Sequence, residues 1–195
     1  MTDWKQWREQ VDLDDYDARW QQMAAAGENP HGEADYVVDL LGPTQPAAVL
    51  DAGCGTGRLA IELDRRGIDT VGVDQDEDLL GRARTKAPNL AWVLTNLADL
   101  NLGRTFDAVV LAGNVVPFIE TSDRPEAITR CARHVNPNGF LLAGFQLRPT
   151  WPSVDDYDTW CASVGLKLDA RYSSWTSDAF ESSSDYAVSV HRWKP

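Results

Sequence analysis

The chain has 195 residues, 43% of them hydrophobic and 25% charged, and thirty Asp plus Glu against eighteen Lys plus Arg give a formal net charge of -12. That length suits one well-filled hydrophobic core and is short for two. So acidic a chain repels phosphate backbones and anionic lipid, which argues against DNA and membrane partners.

The first ten residues, MTDWKQWREQ, hold no apolar signal core. No stretch approaches the roughly 20 apolar residues of a membrane span. Cys54, Cys131 and Cys161 are odd in number and widely spaced, so they make neither a disulfide framework nor a paired zinc motif. The expectation is a cytoplasmic, reduced, single-domain protein over residues 1–195, a monomer or homodimer, with no metal. Residues 1–40 hold ten acids and three bases, a net of -7 that leaves -5 for the other 155 residues, and three of the eight Trp lie there as well.

From Trp4 through Tyr16, Trp20 and Met23 to Gly27, aromatics scattered among Asp and Glu predict one or two short amphipathic helices. A helix follows over Glu33–Leu41, with Ala34, Val37, Val38 and Leu41 on one side, and Gly42-Pro43 ends it. Ala47–Leu50 is a short apolar strand closed by Asp51. Arg58–Arg66 is a helix stopped by Gly67. Thr70–Val73 is a second strand, closed by Asp74. Asp76 or Glu77 opens a helix to Lys86. Leu90–Leu94 and Phe106–Leu111 are strands three and four. A helix over Arg124–His134 leads through the turn Asn136–Gly139 into strand Phe140–Phe145. A last helix near Val154–Ser163 precedes two alternating strands, Leu166–Tyr172 and Tyr186–Trp193. Short apolar strands separated by helices mark an α/β fold with a mostly parallel sheet covered on both faces, and the terminal pair fits an antiparallel edge.

The run Val49-Leu50-Asp51-Ala52-Gly53-Cys54-Gly55-Thr56-Gly57 holds most of the functional information. A strand end, three alternating glycines and a helix start turn unpaired N–H groups toward a ligand, and glycine permits the close backbone approach. A dinucleotide fingerprint needs glycine at position 58, which is Arg58, and a P-loop needs Gly-Lys-Ser/Thr, which is missing. The spacing suits a ligand without a pyrophosphate. Asp51 either orders the turn or meets a cationic ligand group.

These residues resemble the signature of the class I, Rossmann-like methyltransferases that use S-adenosylmethionine, and the resemblance runs over about residues 45–145. It implies a single-domain fold with a seven-stranded, mostly parallel sheet whose last strand is antiparallel. It also implies S-adenosylmethionine as cofactor and S-adenosylhomocysteine as product. By the resemblance, the loop of Asp51, Gly53, Cys54, Gly55 and Gly57 passes under the methionine part and ribose. Asp74 binds both ribose hydroxyls, a role that its place at a strand end supports independently, and Gln75 lines the adenosine. Asn96 stands where members often carry Asp for the adenine amino group; Asp99 is the alternative acid. Leu97 packs on adenine, Ala98 belongs to the same loop, and Ala112 and Gly113 hold the methionine amino group with backbone atoms. Asn114 either reaches a ligand or stabilises its turn.

Residues 1–42 resemble the N-terminal helical cover of small family members, ahead of an α/β core over 45–193. There Tyr16 and Trp20 close over the cofactor and Arg19 pairs with the methionine carboxylate. Trp151, Trp160 and Trp175 lie in segments bordering the substrate side. No catalytic residue is assigned. His31 and Glu33 are open candidates for the active site, and His134 is explained by a helix end. Too acidic for a general nucleic-acid enzyme, the chain is expected to methylate a small molecule. A protein or RNA substrate, drawn by Arg82, Arg84 and Lys86, and a non-catalytic binding role are the alternatives.

Overall fold

A computed structural model describes residues 3–43 and 47–193. The expected boundary at residue 45 and the two chain ends lie outside the described residues. Helices α1 (Asp3–Gln10), α2 (Leu13–Ala25) and α3 (Gly32–Leu41) precede β1 (Ala48–Ala52). Then α4 (Arg58–Arg65), β2 (Asp69–Asp74), α5 (Glu77–Lys86) and β3 (Ala91–Leu94) alternate. After β4 (Phe106–Leu111) come α6 (Val115–Phe118), α7 (Arg124–Arg133), β5 (Val135–Gln146), α8 (Val154–Ser163), β6 (Leu166–Tyr172) and β7 (Tyr186–Trp193).

The seven strands form one sheet in the order β3-β2-β1-β4-β5-β7-β6. β1 to β5 run parallel and β7 lies antiparallel between β5 and β6. This is the expected Rossmann-like arrangement. The strands are apolar on both faces because helices cover both. Leu50, Val109 and Leu141 point to a core shared with Ile128 and Cys131 of α7 and Tyr157 of α8. Their neighbours Val49, Ala108, Val110 and Leu142 point to the opposite core with Val37 of α3 and Leu59 and Leu63 of α4. The period of two along each strand fills both layers from one run of residues.

Two local expectations change. The turn at 136–139 is absorbed into β5, which starts at Val135. Phe106 pairs with Val135 but Ala108 with Phe140, so the extra residues bulge, with Asn138 in the left-handed region at φ 65°. The chain also makes two elements too short to leave a periodic trace, α6 and a 3-10 turn at Leu97–Asp99.

Because β1–β2–β3 wind outward in one direction and β4 returns beside β1, a crevice opens at the carboxyl ends of β1 and β4. Four tryptophans are spent on packing. Trp92 fills the space above Gly57 and Gly72, where an added Cβ would lie 2.6 and 2.3 Å from its ring, and Trp175 and Trp193 crowd Gly144 and Gly165 in the same way. Trp160 packs against the core under α8.

Candidate active site

A cavity of about 630 Å³ occupies the crevice. Its floor comes from the segments after successive strands: Gly53–Thr56 after β1, Asp74 and Gln75 after β2, Thr95–Leu97 after β3, and Ala112–Val115 after β4. Its roof includes Trp4, Trp7, Tyr16, Arg19 and Trp20 of α1 and α2. A volume in this range holds a ligand of drug size.

The glycine loop is ordered by two carboxylates. Asp51, 2% exposed, accepts the Ala60 N–H through Oδ2 at 3.1 Å. Burial pushes its carboxyl up to about 7, against the amide of Ala60 and the charge of Arg58. Asp74 is 7% exposed. Its Oδ2 accepts the Gly55 N–H at 2.8 Å and its Oδ1 the Asp76 N–H at 2.9 Å. Burial raises its pKa too, while the amides of Asp76 and Gly55 pull it down. Each Asp74 oxygen has thus taken one amide and keeps acceptor capacity for the cavity. Gly53 has φ 85° and so favours glycine. An added Cβ there would also lie 2.5 Å from Val115.

Of the residues singled out in the sequence, Tyr16, Arg19, Trp20, Asp51, Gly53, Cys54, Gly55, Asp74, Gln75, Asn96, Leu97, Ala112 and Gly113 share this cavity wall. Two others are set off it. Gly57 lies behind the loop against Trp92 and Ala83, where it allows close packing. Ala98 spends its N–H on Asn96 Oδ1 at 2.9 Å, the cap of the 3-10 turn. That bond takes one lone pair of the amide oxygen expected to face adenine, while Asn96 Nδ2 donates to Gln75 Oε1 at 3.4 Å. Asp99 is exposed and off the wall. Asn114 lines the cavity, but its Oδ1 accepts the Gln146 N–H at 2.8 Å and its φ is 69°, so its side chain holds the turn.

The histidines stand elsewhere. His31 Nε2 is 4.0 Å from Glu62 behind α4. His134 accepts the Leu102 N–H on Nε2 at 3.0 Å and meets Arg130 O through Nδ1 at 2.7 Å. Both ring nitrogens are therefore spent on the fold. Glu33 is on the wall, held by both guanidinium nitrogens of Arg58. Trp151 is on the wall, whereas Trp160 and Trp175 are not. Residues that sequence reasoning missed include Phe118, Glu120, Gln146 and Arg148. Gln146 ends β5, and the others follow β4 and β5 in segments without a recognisable pattern.

The roof is fastened by charge. Arg8 meets Asp76 at 2.7 Å and Asp78 at 2.6 Å. Asp14 meets Arg82 at 2.6 Å, and Asp17 meets Lys86 at 2.7 Å and accepts the Thr56 hydroxyl at 2.6 Å. Arg84 pairs with Glu77 at 2.7 Å. The basic cluster on α5 is thus neutralised largely by acids of α2 and serves as their anchor. Trp20 lies between two guanidiniums, Arg58 at 4.0 Å and Arg19 at 4.2 Å from its ring centroid. Exposed ion pairs contribute little singly, but Asp17 also holds the buried Thr56. The substitution Asp17→Ala should speed tryptic cleavage after Arg19 by about tenfold, for the loss of one buried hydrogen bond and an ion pair. Raising salt should move the wild type part of the way toward the variant. Unchanged cleavage, followed by mass spectrometry, would show that Asp17 does not fasten the roof.

Among the described residues no helix is long and apolar enough to cross a membrane, and no group of three or more His, Cys, Asp or Glu could hold a metal ion.

Comparison with known proteins agrees with this geometry. Residues 49–139 match a family model described as a methyltransferase domain. The fold is similar to that of a TehB-like SAM-dependent methyltransferase from Corynebacterium glutamicum, with 33% identity and a TM-score of 0.83 over 93% of this chain and 97% of that one. Over 168 residues the chain is 27% identical to the dTDP-3-amino-3,4,6-trideoxy-alpha-D-glucopyranose N,N-dimethyltransferase of Streptomyces venezuelae, covering 85% of this chain and 69% of the relative. It is 34% identical over 116 residues to a ubiquinone biosynthesis O-methyltransferase of Alkalilimnicola ehrlichii, covering 55% of this chain and 45% of the relative. The shared region thus spans only part of these two relatives.

Proposed function

Since the chain belongs to the S-adenosylmethionine-dependent methyltransferases, we propose that it binds this donor on the cavity floor and methylates a small organic acceptor held beneath the N-terminal helices. The observation that carries the reading is Asp74: a nearly buried carboxylate, aimed into the cavity at a strand end, with one amide on each oxygen.

The residues present fit the donor. Gly55 and Gly113 line the wall, and at both an added Cβ would stand in open space. Asp74 offers two acceptors to a pair of ribose hydroxyls, with Gln75 beside it and Leu97 as an apolar contact for a base. Arg19 also lines the cavity and has no carboxylate within 4.0 Å among the described residues, and the buried Nε1 of Trp20 has no hydrogen-bond partner. These donors suit the carboxylate of the methionine part, and Asp51 suits its ammonium. When bound, the sulfonium supplies an electrophilic methyl group and a neutral leaving group.

The chain's own contribution is to align the acceptor and keep water out, which is most of what a one-step displacement asks of a protein. Trp4, Trp7 and Tyr16 close the roof, and Phe118 and Trp151 form the adjoining wall. The named activities of the relatives, on an amino sugar nucleotide and in ubiquinone biosynthesis, support a small-molecule acceptor. The neutralised basic cluster of α5 offers little to RNA.

Calorimetric titration with S-adenosylhomocysteine tests the floor, and methyl transfer to a panel of small amines, phenols and alcohols tests the activity. Saturable one-to-one binding with turnover of a panel member is expected. An absence of binding would refute the reading.

A further inference from the structure

The acceptor side of the cavity has a chemical preference of its own. Four carboxylates line the cavity: Glu33, Asp51, Asp74 and Glu120. Arg58 neutralises Glu33, Asp51 takes the Ala60 amide, and Asp74 takes the amides of Gly55 and Asp76. Among the described residues the carboxylate of Glu120 has no such partner.

Glu120 is nevertheless held in place. It ends the short segment that begins at Asn114, and that segment is pinned on both sides. Asn114 is tied to β5 through the Gln146 amide. Behind the other end, Arg124, only 9% exposed, donates to Ile119 O at 3.1 Å and to Pro117 O at 2.9 Å. The buried guanidinium, bonded to the Pro117 and Ile119 carbonyls, holds the backbone from which Phe118 and Glu120 project.

An aromatic wall lines the same cavity. Tyr16 and Trp7 are 5.6 Å apart, Trp7 and Trp4 5.0 Å, Trp4 and Phe118 5.8 Å, and Phe118 and Trp151 5.8 Å between centroids. The faces of such rings attract cations. At the Trp151 end the protein already uses that property, because Arg148 stacks 4.4 Å from its ring. At the other end Arg19 lies 4.3 Å from the Tyr16 ring, whereas the Trp4, Trp7 and Phe118 rings between them have no cation among the described contacts, and Glu120 follows Phe118 by two residues on the same cavity wall.

We propose that the acceptor carries a basic nitrogen and that Glu120, with the Trp4, Trp7 and Phe118 rings, receives it as a cation. Glu120 is then a specificity residue at the mouth of the cavity. The proposal rests on the methyltransferase reading and adds the chemical class of the acceptor. A charged nitrogen gains from both the carboxylate and the ring faces, whereas a neutral hydroxyl gains one hydrogen bond from the carboxylate and no cation attraction from the rings. The acidity of the whole chain works in the same direction by drawing cations toward the surface.

The test uses the protein saturated with S-adenosylhomocysteine and follows tryptophan fluorescence, since Trp4, Trp7 and Trp151 line the cavity. The probes are benzyltrimethylammonium, a permanent cation, and benzyl alcohol, its neutral counterpart. The cation should bind about fivefold more tightly, as one exposed charge contact and one ring contact allow. The variant Glu120→Gln should reduce that preference to about twofold, the part that the ring faces supply, without altering S-adenosylhomocysteine binding. Glu126→Gln, which alters an exposed acid paired with Arg130 on α7, should retain it. Equal binding of the two probes, or a preference undiminished in Glu120→Gln, overturns the proposal. If S-adenosylhomocysteine itself does not bind, the methyltransferase reading fails first and the proposal with it.

Discussion

Replacement of Asp74 by alanine should weaken S-adenosylhomocysteine binding by about a hundredfold, the equivalent of two hydrogen bonds to a charged acceptor. The loss has two sources. The carboxylate no longer meets the ribose, and the Gly55 and Asp76 amides lose the acceptor that orients their loops. The second effect spreads to the roof, because Asp76 caps α5 through its own side chain and receives Arg8 from α1. Asparagine at position 74 separates the two. It keeps oxygen and nitrogen in place of the carboxylate, so the loop is partly ordered while the ribose contact loses its charge. Burial raises the Asp74 pKa, so without ligand the ionised carboxylate costs the folded state free energy. Asp74→Asn removes that cost but sets its NH2 against one of the two amides, so the melting temperature at pH 8 should change little even as affinity falls. Calorimetry and thermal unfolding on the same sample distinguish binding from folding, and an affinity within threefold of wild type in Asp74→Ala would remove Asp74 from the site.

The parts of the fold and site that were legible in the sequence are those set by neighbours along the chain. The strand Ala48–Ala52, the glycine loop and the helix from Arg58 follow one another within twenty residues, and their order fixes a strand–loop–helix unit. Asp74 was legible because a polar residue closing an apolar strand of a parallel sheet faces the crevice. The contacts that complete the site join distant positions. Asp17 meets Thr56 and Lys86, Arg8 meets Asp76, and Asn114 meets Gln146. No local period encodes such pairs. The tryptophans make the same point: Trp151 and Trp160 are nine positions apart, yet one faces the cavity and the other the core. Which way each points depends on α8 docking against α7 and the sheet. Asn96 has a second duty that its residue type did not reveal. Its residue type matched a ligand acceptor, but a 3-10 turn too short to read from periodicity uses that oxygen as a cap.

Asp51 makes donor affinity dependent on pH, in a direction that its surroundings determine. Its carboxyl titrates at about 7 in the folded chain and near the ordinary value of about 4 when unfolded. Between those values the folded state binds the proton more tightly. Stability therefore falls as pH rises from about 4 to about 7 and levels off above, by at most about 4 kcal/mol. A ligand that brings an ammonium beside Asp51 favours the ionised form and lowers that pKa. Binding below pH 7 must then release a proton, and affinity should rise with pH, by up to about tenfold per unit between pH 5.5 and 7. Asp74, also raised by burial, adds to the same trend, so the variant Asp51→Asn is needed to isolate the contribution. It should flatten most of the dependence and make the ligand-free protein more stable at pH 8, because it removes a buried charge while its amide oxygen can still accept from Ala60. Titrations of S-adenosylhomocysteine at pH 5.5, 6.5 and 7.5, in buffers of different ionisation heat, read both the affinity and the protons released. A wild-type affinity independent of pH would mean that no ligand charge couples to the Asp51 carboxyl. Its place beneath the glycine loop would then be structural alone, through the Ala60 amide that it holds.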